Sequence, residues 1–129
     1  MIITLSDDFS KIEFEKLLIK RMYIGDKPIE LPKKMAWKHI PTVLLKHLGK
    51  KYENMVNQIE RKKDVMIDLP KNGIVPKGYT KVTSSRCYHF TNDTGAERAM
   101  KSIAITLGEF DKISHMNTKE ELRIVAVKK

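Results

Sequence analysis

Cys87 and His89 are the residues of this chain whose types and spacing most resemble a reactive pair. Residues two apart on a strand project from the same face, so a strand here would place the thiol beside the imidazole, as in a nucleophile with its base or half of a zinc site. A zinc site needs four ligands, and a catalytic pair needs a third, orienting group. Because the sequence contains no CxxC or HxxxH pattern to supply them, a packed cysteine beside an ordinary histidine is the favoured interpretation.

His39 and His47 lie eight residues apart, a spacing that shares one side of a helix only if Pro41 does not break it. Nearby lysines should lower the pKa of both imidazoles and keep them neutral, which suits hydrogen bonding at an interface better than acid catalysis. Those lysines are Lys38, Lys46 and Lys50. Surface histidines without a special role are the favoured alternative.

The other sequence patterns that would indicate an enzyme, paired carboxylates and glycine-rich loops, are weak or absent in this sequence. Adjacent carboxylates such as Asp7 with Asp8 and Glu120 with Glu121 are typical of helix capping or solvated surface, and no apolar frame would raise the pKa of either partner. The six glycines form no phosphate-binding loop. We therefore expect a protein that is not an enzyme and has no catalytic residue, cofactor, metal or small-molecule substrate. A small nuclease that uses His89 with Cys87 or a carboxylate is kept only as a third hypothesis.

Positive charge is concentrated in residues 33–64, which we call the basic segment. It holds nine Lys and Arg against three Asp and Glu, or +6 of the chain's net +9. Such a field attracts DNA, RNA and acidic protein surfaces alike. We predict that this segment binds the partner, through Lys33, Lys34, Trp37, Lys38, Lys46, Lys50, Lys51, Arg61, Lys62 and Lys63.

Trp37 is the only tryptophan and lies among cations. Aromatic side chains in such surroundings stack on bases or anchor protein interfaces. A lone tryptophan equally often closes a hydrophobic core. The sequence leaves the two alternatives open.

A helix-turn-helix is the one nucleic-acid motif that the basic segment resembles. The interval 42–62 shows an apolar helical pattern, then Gly49 as a possible turn, then a second amphipathic stretch. Asn and Gln side chains can pair with adenine, and Lys and Arg with phosphates. The residues predicted to contact nucleic acid are Lys50, Lys51, Asn54, Asn57, Gln58 and Arg61. A packed helix pair with a solvated basic face is the favoured alternative.

The remaining pattern predicts an α+β fold, with a small, mainly antiparallel sheet packed against about three or four helices in a single domain over 1–129. Hydrophobic periodicity and capping residues indicate the element order. The predicted elements are a strand at 2–5, a helix at 11–22, two helical stretches within 42–62, a strand at 65–69, a turn at 71–73, a strand at 79–91, a helix from a cap at 93 or 94 to about 108, and a strand at 122–127.

The cellular compartment follows from what the composition excludes. The single cysteine cannot form an intramolecular disulfide, and no apolar run reaches the roughly 18 residues of a membrane span. The stretch Met1–Leu5 leads into acidic residues, unlike a signal sequence. We expect a cytoplasmic protein with no membrane partner.

In length, charge and the opening stretch Met1-Ile2-Ile3-Thr4-Leu5, the chain resembles the small RNA polymerase-binding proteins of T-even phages. That resemblance covers general character and supplies no residue assignments. It implies a phage early protein, active in host takeover, that binds host RNA polymerase. The leading hypothesis is therefore a factor that contacts bacterial RNA polymerase through its basic surface and regulates transcription in the host cytoplasm; the alternative is a direct DNA- or RNA-binding regulator.

Overall fold

The structure, a computed structural model, describes residues 1–62, 65–89 and 95–129. These residues form seven strands and four α-helices, in an α+β arrangement that confirms the predicted fold class. Short 3₁₀ turns precede β2 and α1. In chain order the elements are β1 (Ile2–Ile3), β2 (Leu17–Ile24), β3 (Lys27–Pro28), α1 (Ile40–Lys51), α2 (Glu53–Val56), β4 (Met66–Asp68), β5 (Tyr79–Lys81), β6 (Arg86–His89), α3 (Ala96–Ser114), α4 (Thr118–Glu121) and β7 (Leu122–Lys128).

The larger sheet joins the two ends of the chain. Its strands lie in the order β1-β7-β2-β3 and all pair antiparallel. Met22 lies opposite Ile124 in the central pair, and both side chains are fully buried. Side chains alternate between buried and exposed along β2 and β7, so one face of this sheet contributes to the core.

The predicted helix at 11–22 is wrong. Phe14 to Lys16 form a single 3₁₀ turn, after which β2 pairs with β7 from Leu17 to Ile24. Leu17, Ile19, Met22 and Ile24 are all buried, and an apolar set with this spacing is compatible with a strand as well as with a helix. Residues 17–24 form a strand instead of a helix because they pair with β7 at the end of the chain. The apolar spacing within residues 11–22 contains no information about that partner strand.

The smaller sheet has the order β4-β6-β5 and is antiparallel. The predicted strand at 79–91 is two strands, because the chain turns at residues 82–85 and folds β6 back on β5. Residues 90 and 91 of that prediction lie outside the described residues. The predicted turn at 71–73 is confirmed, since Gly73 has a φ of 74° and donates its N–H to the Pro70 carbonyl.

Helix α3 is the longest element of the core and packs against α1, α2 and α4. Its inner stripe includes Met100, Ile103, Leu107 and Phe110, all fully buried. The helix does not end near residue 108 as predicted but continues to Ser114, and His115 ends it in the left-handed conformation at φ 60°. The predicted cap at 93 or 94 falls outside the described residues.

Candidate functional site: a basic groove beside the first helix

Helix α1 has one buried and one open side. Pro41 occupies its first turn, where the missing N–H has no helical partner, as the sequence predicts. Ile40, Leu44, Leu45 and Leu48 are almost completely buried against the core. The opposite side of the helix therefore faces outward.

A groove of about 900 Å³ runs between this outward side and the extended segment 28–34. We call it the basic groove. Helical spacing brings residues 39, 42, 43, 46, 47 and 50 to one wall, while two prolines keep the opposite wall extended. Its lining residues are Pro28, Glu30, Leu31, Pro32, Lys34, His39, Thr42, Val43, Lys46, His47, Lys50, Lys51 and Thr80.

The charge of the basic groove is strongly one-sided. Four lysines and one glutamate line it, which gives +3 with neutral histidines. The side chains of Lys34, Lys46, Lys50 and Lys51 are exposed, and within the described part of the chain none of them forms an ion pair. Their charge is available to an anionic partner.

Two histidines line the groove and favour the neutral form. Burial, and then the nearby Lys51 and Lys50, lower the pKa of His47 below its usual value. Burial, and then Lys38, lower the pKa of His39 in the same direction. The predicted direction is therefore confirmed, but burial is the larger cause in both.

Apolar side chains share the groove with these charges. Leu31 and Val43 are half-buried and pack against the core from opposite walls. The Thr42 hydroxyl oxygen is buried and has no hydrogen-bond partner among the described residues. The lining thus combines an apolar base with a cationic rim.

Gly49 is not a turn residue. Helix α1 continues through it to Lys51, and a Cβ at this position would clash with the Val82 carbonyl oxygen. The residue is a glycine because α1 here presses directly on the backbone that links β5 to β6. The helix-turn-helix prediction is therefore wrong in its geometry, since the second helix, α2, has only four residues.

The amides that the motif would use lie elsewhere. Asn57 accepts a hydrogen bond from the Thr83 hydroxyl at 2.6 Å. The Gln58 side chain donates to the Asn54 backbone carbonyl at 3.2 Å, and both residues are exposed, Asn54 within α2 and Gln58 just after it. None of the three lines the basic groove, although Lys50 and Lys51, predicted with them, do.

A second cationic region lies after α2. Arg86 is buried, donates to the carbonyls of Asn57 and Ile59, the latter at 2.8 Å, and pairs with Asp68 at 3.0 Å. Asp68 also pairs with Arg61 at 2.6 Å. We call Arg61, Asp68 and Arg86 the clamp, because together they fix the 57–61 backbone to the smaller sheet.

Of the other lysines predicted as partner contacts, those that the structure describes lie outside both the groove lining and the clamp. Lys62 pairs with Glu109 at 2.9 Å, Lys33 is exposed outside the groove lining, and Lys38 is half-buried beside His39. Lys63 lies outside the described residues.

Trp37 belongs to the core. Its ring meets Phe14 edge-on at 4.7 Å between centroids, and its indole N–H donates to the Leu17 carbonyl at 3.1 Å. Only 8% of the residue is exposed, so of the two alternatives that the sequence leaves open the structure supports the core, and Trp37 presents little surface to a partner.

The Cys87 and His89 pair lacks the features of a reactive site. Burial raises the pKa of the Cys87 thiol, which disfavours the thiolate. The His89 ring instead contacts Tyr79 at 5.0 Å between centroids. Within the described ranges, no group of three or more His, Cys, Asp or Glu is placed to hold a metal ion.

Sequence reasoning missed the extended wall of the groove and the role of Arg86. The prolines at 28 and 32 and the four-residue spacing of Lys46 and Lys50 were the available signals for the groove. Nothing local distinguishes Arg86 from an exposed arginine, because its partners are about 20 to 30 residues away.

Comparison with known proteins assigns no family to this chain. No protein-family model, curated protein or solved structure matches it. Of the helices in the described residues, none combines the length and the apolar character needed to cross a bilayer.

Proposed function

We propose that this chain is a non-enzymatic interaction protein that binds bacterial RNA polymerase and modulates transcription, with the basic groove as its contact surface. The observation that carries the proposal is the set of four exposed lysines along one groove, which form no ion pair with any residue that the structure describes. Bacterial RNA polymerase is an acidic assembly that also carries nucleic acid, so a concentrated cationic surface has a physical reason to bind it. The resemblance to phage polymerase-binding proteins in length and charge supports the same partner.

The proposal departs from the sequence prediction in its choice of residues. Lys34, Lys46, Lys50 and Lys51 are kept as contacts. Arg61 and Lys62 are engaged in ion pairs within the chain, and Trp37 is in the core, so we assign them structural roles.

The test is capture of polymerase from a bacterial lysate by the tagged chain, with and without nuclease, read by mass spectrometry. We expect polymerase subunits to remain after nuclease treatment. The variant Lys46→Glu/Lys50→Glu should lose them, whereas Lys71→Glu/Lys77→Glu, with the same charge change on an exposed loop outside the groove, should retain them. Capture that is equal for both variants would contradict the assignment of the groove.

Direct binding of DNA or RNA is the second candidate, and the +3 charge of the groove favours it as a chemical possibility. It no longer depends on a helix-turn-helix. Each phosphate neutralised by a lysine releases counterions, so affinity would fall steeply as salt rises. Polymerase subunits that disappear with nuclease, together with a steep salt dependence on oligonucleotides, would support this candidate over the first.

A further inference from the structure

The dimensions and lining of the basic groove indicate which part of a partner it can hold. We propose that it binds an extended, acidic peptide segment in which acidic and apolar residues alternate. This inference rests on the proposed function, because it takes the groove to be the partner-binding surface.

The length of the groove sets the length of the segment. Its helical wall extends from His39, the residue directly before α1, to Lys51 at the end of α1, which at 1.5 Å per residue is about 18 Å. An extended chain advances about 3.3 Å per residue, so about five or six residues match this wall. The opposite wall, at 28–34, begins at the end of β3 and runs beside the same space.

The spacing of the lysines sets the spacing of the acidic residues. Lys46 and Lys50 are four residues apart on the helix, an axial rise of about 6 Å. Alternate residues of an extended peptide are about 6.6 Å apart and project to the same side. Two carboxylates separated by one residue can therefore each meet one lysine, and Lys34 adds a cation from the facing wall.

The apolar base of the groove accounts for the residues in between. Leu31 and Val43 are half-buried, and Pro28 and Pro32 add apolar surface that has no N–H groups. Side chains that project away from Lys46 and Lys50 would meet the apolar residues of the facing wall, Pro28, Leu31 and Pro32. A uniformly acidic peptide would leave it uncovered, so an alternating pattern is the better complement.

Nucleic acids fit this lining less well. None of the groove-lining residues in the described chain is Phe, Tyr or Trp, and the two imidazole rings present, His39 and His47, are half-buried, so the lining offers little aromatic surface on which bases of a single strand could stack. Duplex readout places a protruding helix or ribbon in the DNA groove, whereas these lysines border a depression. An acidic peptide satisfies both the charge and the concave shape.

The experiment measures binding of a fluorescent hexapeptide of alternating aspartate and leucine by anisotropy at physiological ionic strength. The comparison probes are the same peptide with asparagine in place of aspartate and a six-nucleotide oligothymidine. We expect the acidic peptide to bind the full chain, with affinity at least about tenfold lower in Lys46→Glu/Lys50→Glu because repulsion replaces attraction. The control Lys71→Glu/Lys77→Glu should stay within about twofold, since distant surface charges are screened.

Circular dichroism on both variants establishes that each is folded. Equal binding of the asparagine peptide, displacement by oligothymidine at lower concentration than by the acidic peptide, or no effect of the groove variant would each overturn the inference. Polymerase capture is scored separately. If capture depends on the groove but the peptide does not bind, the peptide inference fails while the proposed function stands. If the peptide binds but polymerase is not captured, the groove binds acidic peptides while the proposed function fails.

Discussion

The basic groove and the clamp both include cations of the basic segment, but they use those charges in opposite ways. In the groove, Lys46 and Lys50 are exposed and have no ion-pair partner among the described residues. In the clamp, Arg61 and Arg86 share the carboxylate of Asp68, and Arg86 also holds backbone carbonyls. The charge density of a sequence therefore overstates the charge that a partner can meet, and the fold determines the difference.

The largest expected effect on stability comes from Gly49, where α1 lies directly against the backbone that links β5 to β6. Gly49→Ala places a Cβ against the Val82 carbonyl, and backbone cannot move aside as a flexible side chain can. We expect the free energy of unfolding to fall by about 3 kcal/mol, within the range for overpacked core sites. Chemical denaturation measures it.

Gly108 is the matched control for that substitution. It also lies inside a helix, α3, but a Cβ there would have no atom within 4 Å. Gly108→Ala should therefore stabilise the protein by about 0.5–1 kcal/mol, because alanine favours the helix. If both alanine variants shift stability in the same direction, the close contact at Gly49 is not what requires a glycine.

Removing the clamp arginine should have the next largest effect. Arg86→Met keeps much of the buried volume but leaves the carbonyls of Asn57 and Ile59 without their donor. We expect a loss of about 2–3 kcal/mol in the free energy of unfolding, since buried polar groups without partners carry their full desolvation cost.

Arg61→Met tests whether the loss of stability on removing a clamp arginine depends on how deeply that arginine is buried. The Arg61 side chain is 64% exposed although it pairs with the same carboxylate. Exposed ion pairs contribute about 0–1 kcal/mol, so this variant should change stability by no more than that. Similar losses for the two arginines would mean that the ion pairs, and not the buried carbonyl contacts, hold the clamp together.

Charge reversal separates the two regions by function. Lys46→Glu/Lys50→Glu should weaken polymerase capture about tenfold while the melting temperature changes little, because both side chains are solvated. Arg61→Glu/Lys62→Glu makes the same change of charge in residues that are paired internally, and we expect lower stability with capture retained. The reverse outcome would assign partner binding to the clamp side.

The sequence was sufficient for elements whose signals are local. Three predictions that depend only on nearby residues are confirmed: the strand at 122–127, the turn at Gly73 and the position of Pro41 in the first turn of α1. The strand at 17–24 was predicted as a helix because its apolar residues fit either period, and its pairing with β7 is a contact over about 100 residues.

The candidate site was predictable in its charge but not in its shape. Lys46, Lys50 and Lys51, which the sequence predicts as partner contacts, all line the groove, since α1 is a regular helix with a clear apolar side. The core position of Trp37 and the packing role of Gly49 were not predictable because the facts that decide them, contact with Phe14 and with the Val82 carbonyl, come from residues distant in sequence. Close backbone approach leaves no periodic pattern that a single sequence can display.

The smallest expected effect is the pH dependence of stability. We assign it to a histidine of the groove, whereas the clamp consists of guanidinium and carboxylate groups. Burial beside Lys51 and Lys50 lowers the pKa of His47 in the folded state below its usual value near 6.5. Between those two pKa values the unfolded chain binds more protons, so stability is lost as pH falls through about 6.5 towards the folded pKa and is fully present above 6.5. His47→Gln should therefore lose less stability between pH 7.5 and 5.5 than the unmodified chain does, as measured by melting temperature.

His115→Asn serves as the control and should keep the full pH dependence. Residue 115 is exposed, and asparagine tolerates the left-handed backbone conformation found there. If the His47 variant kept the full dependence as well, the proton-linked loss of stability would originate outside the groove.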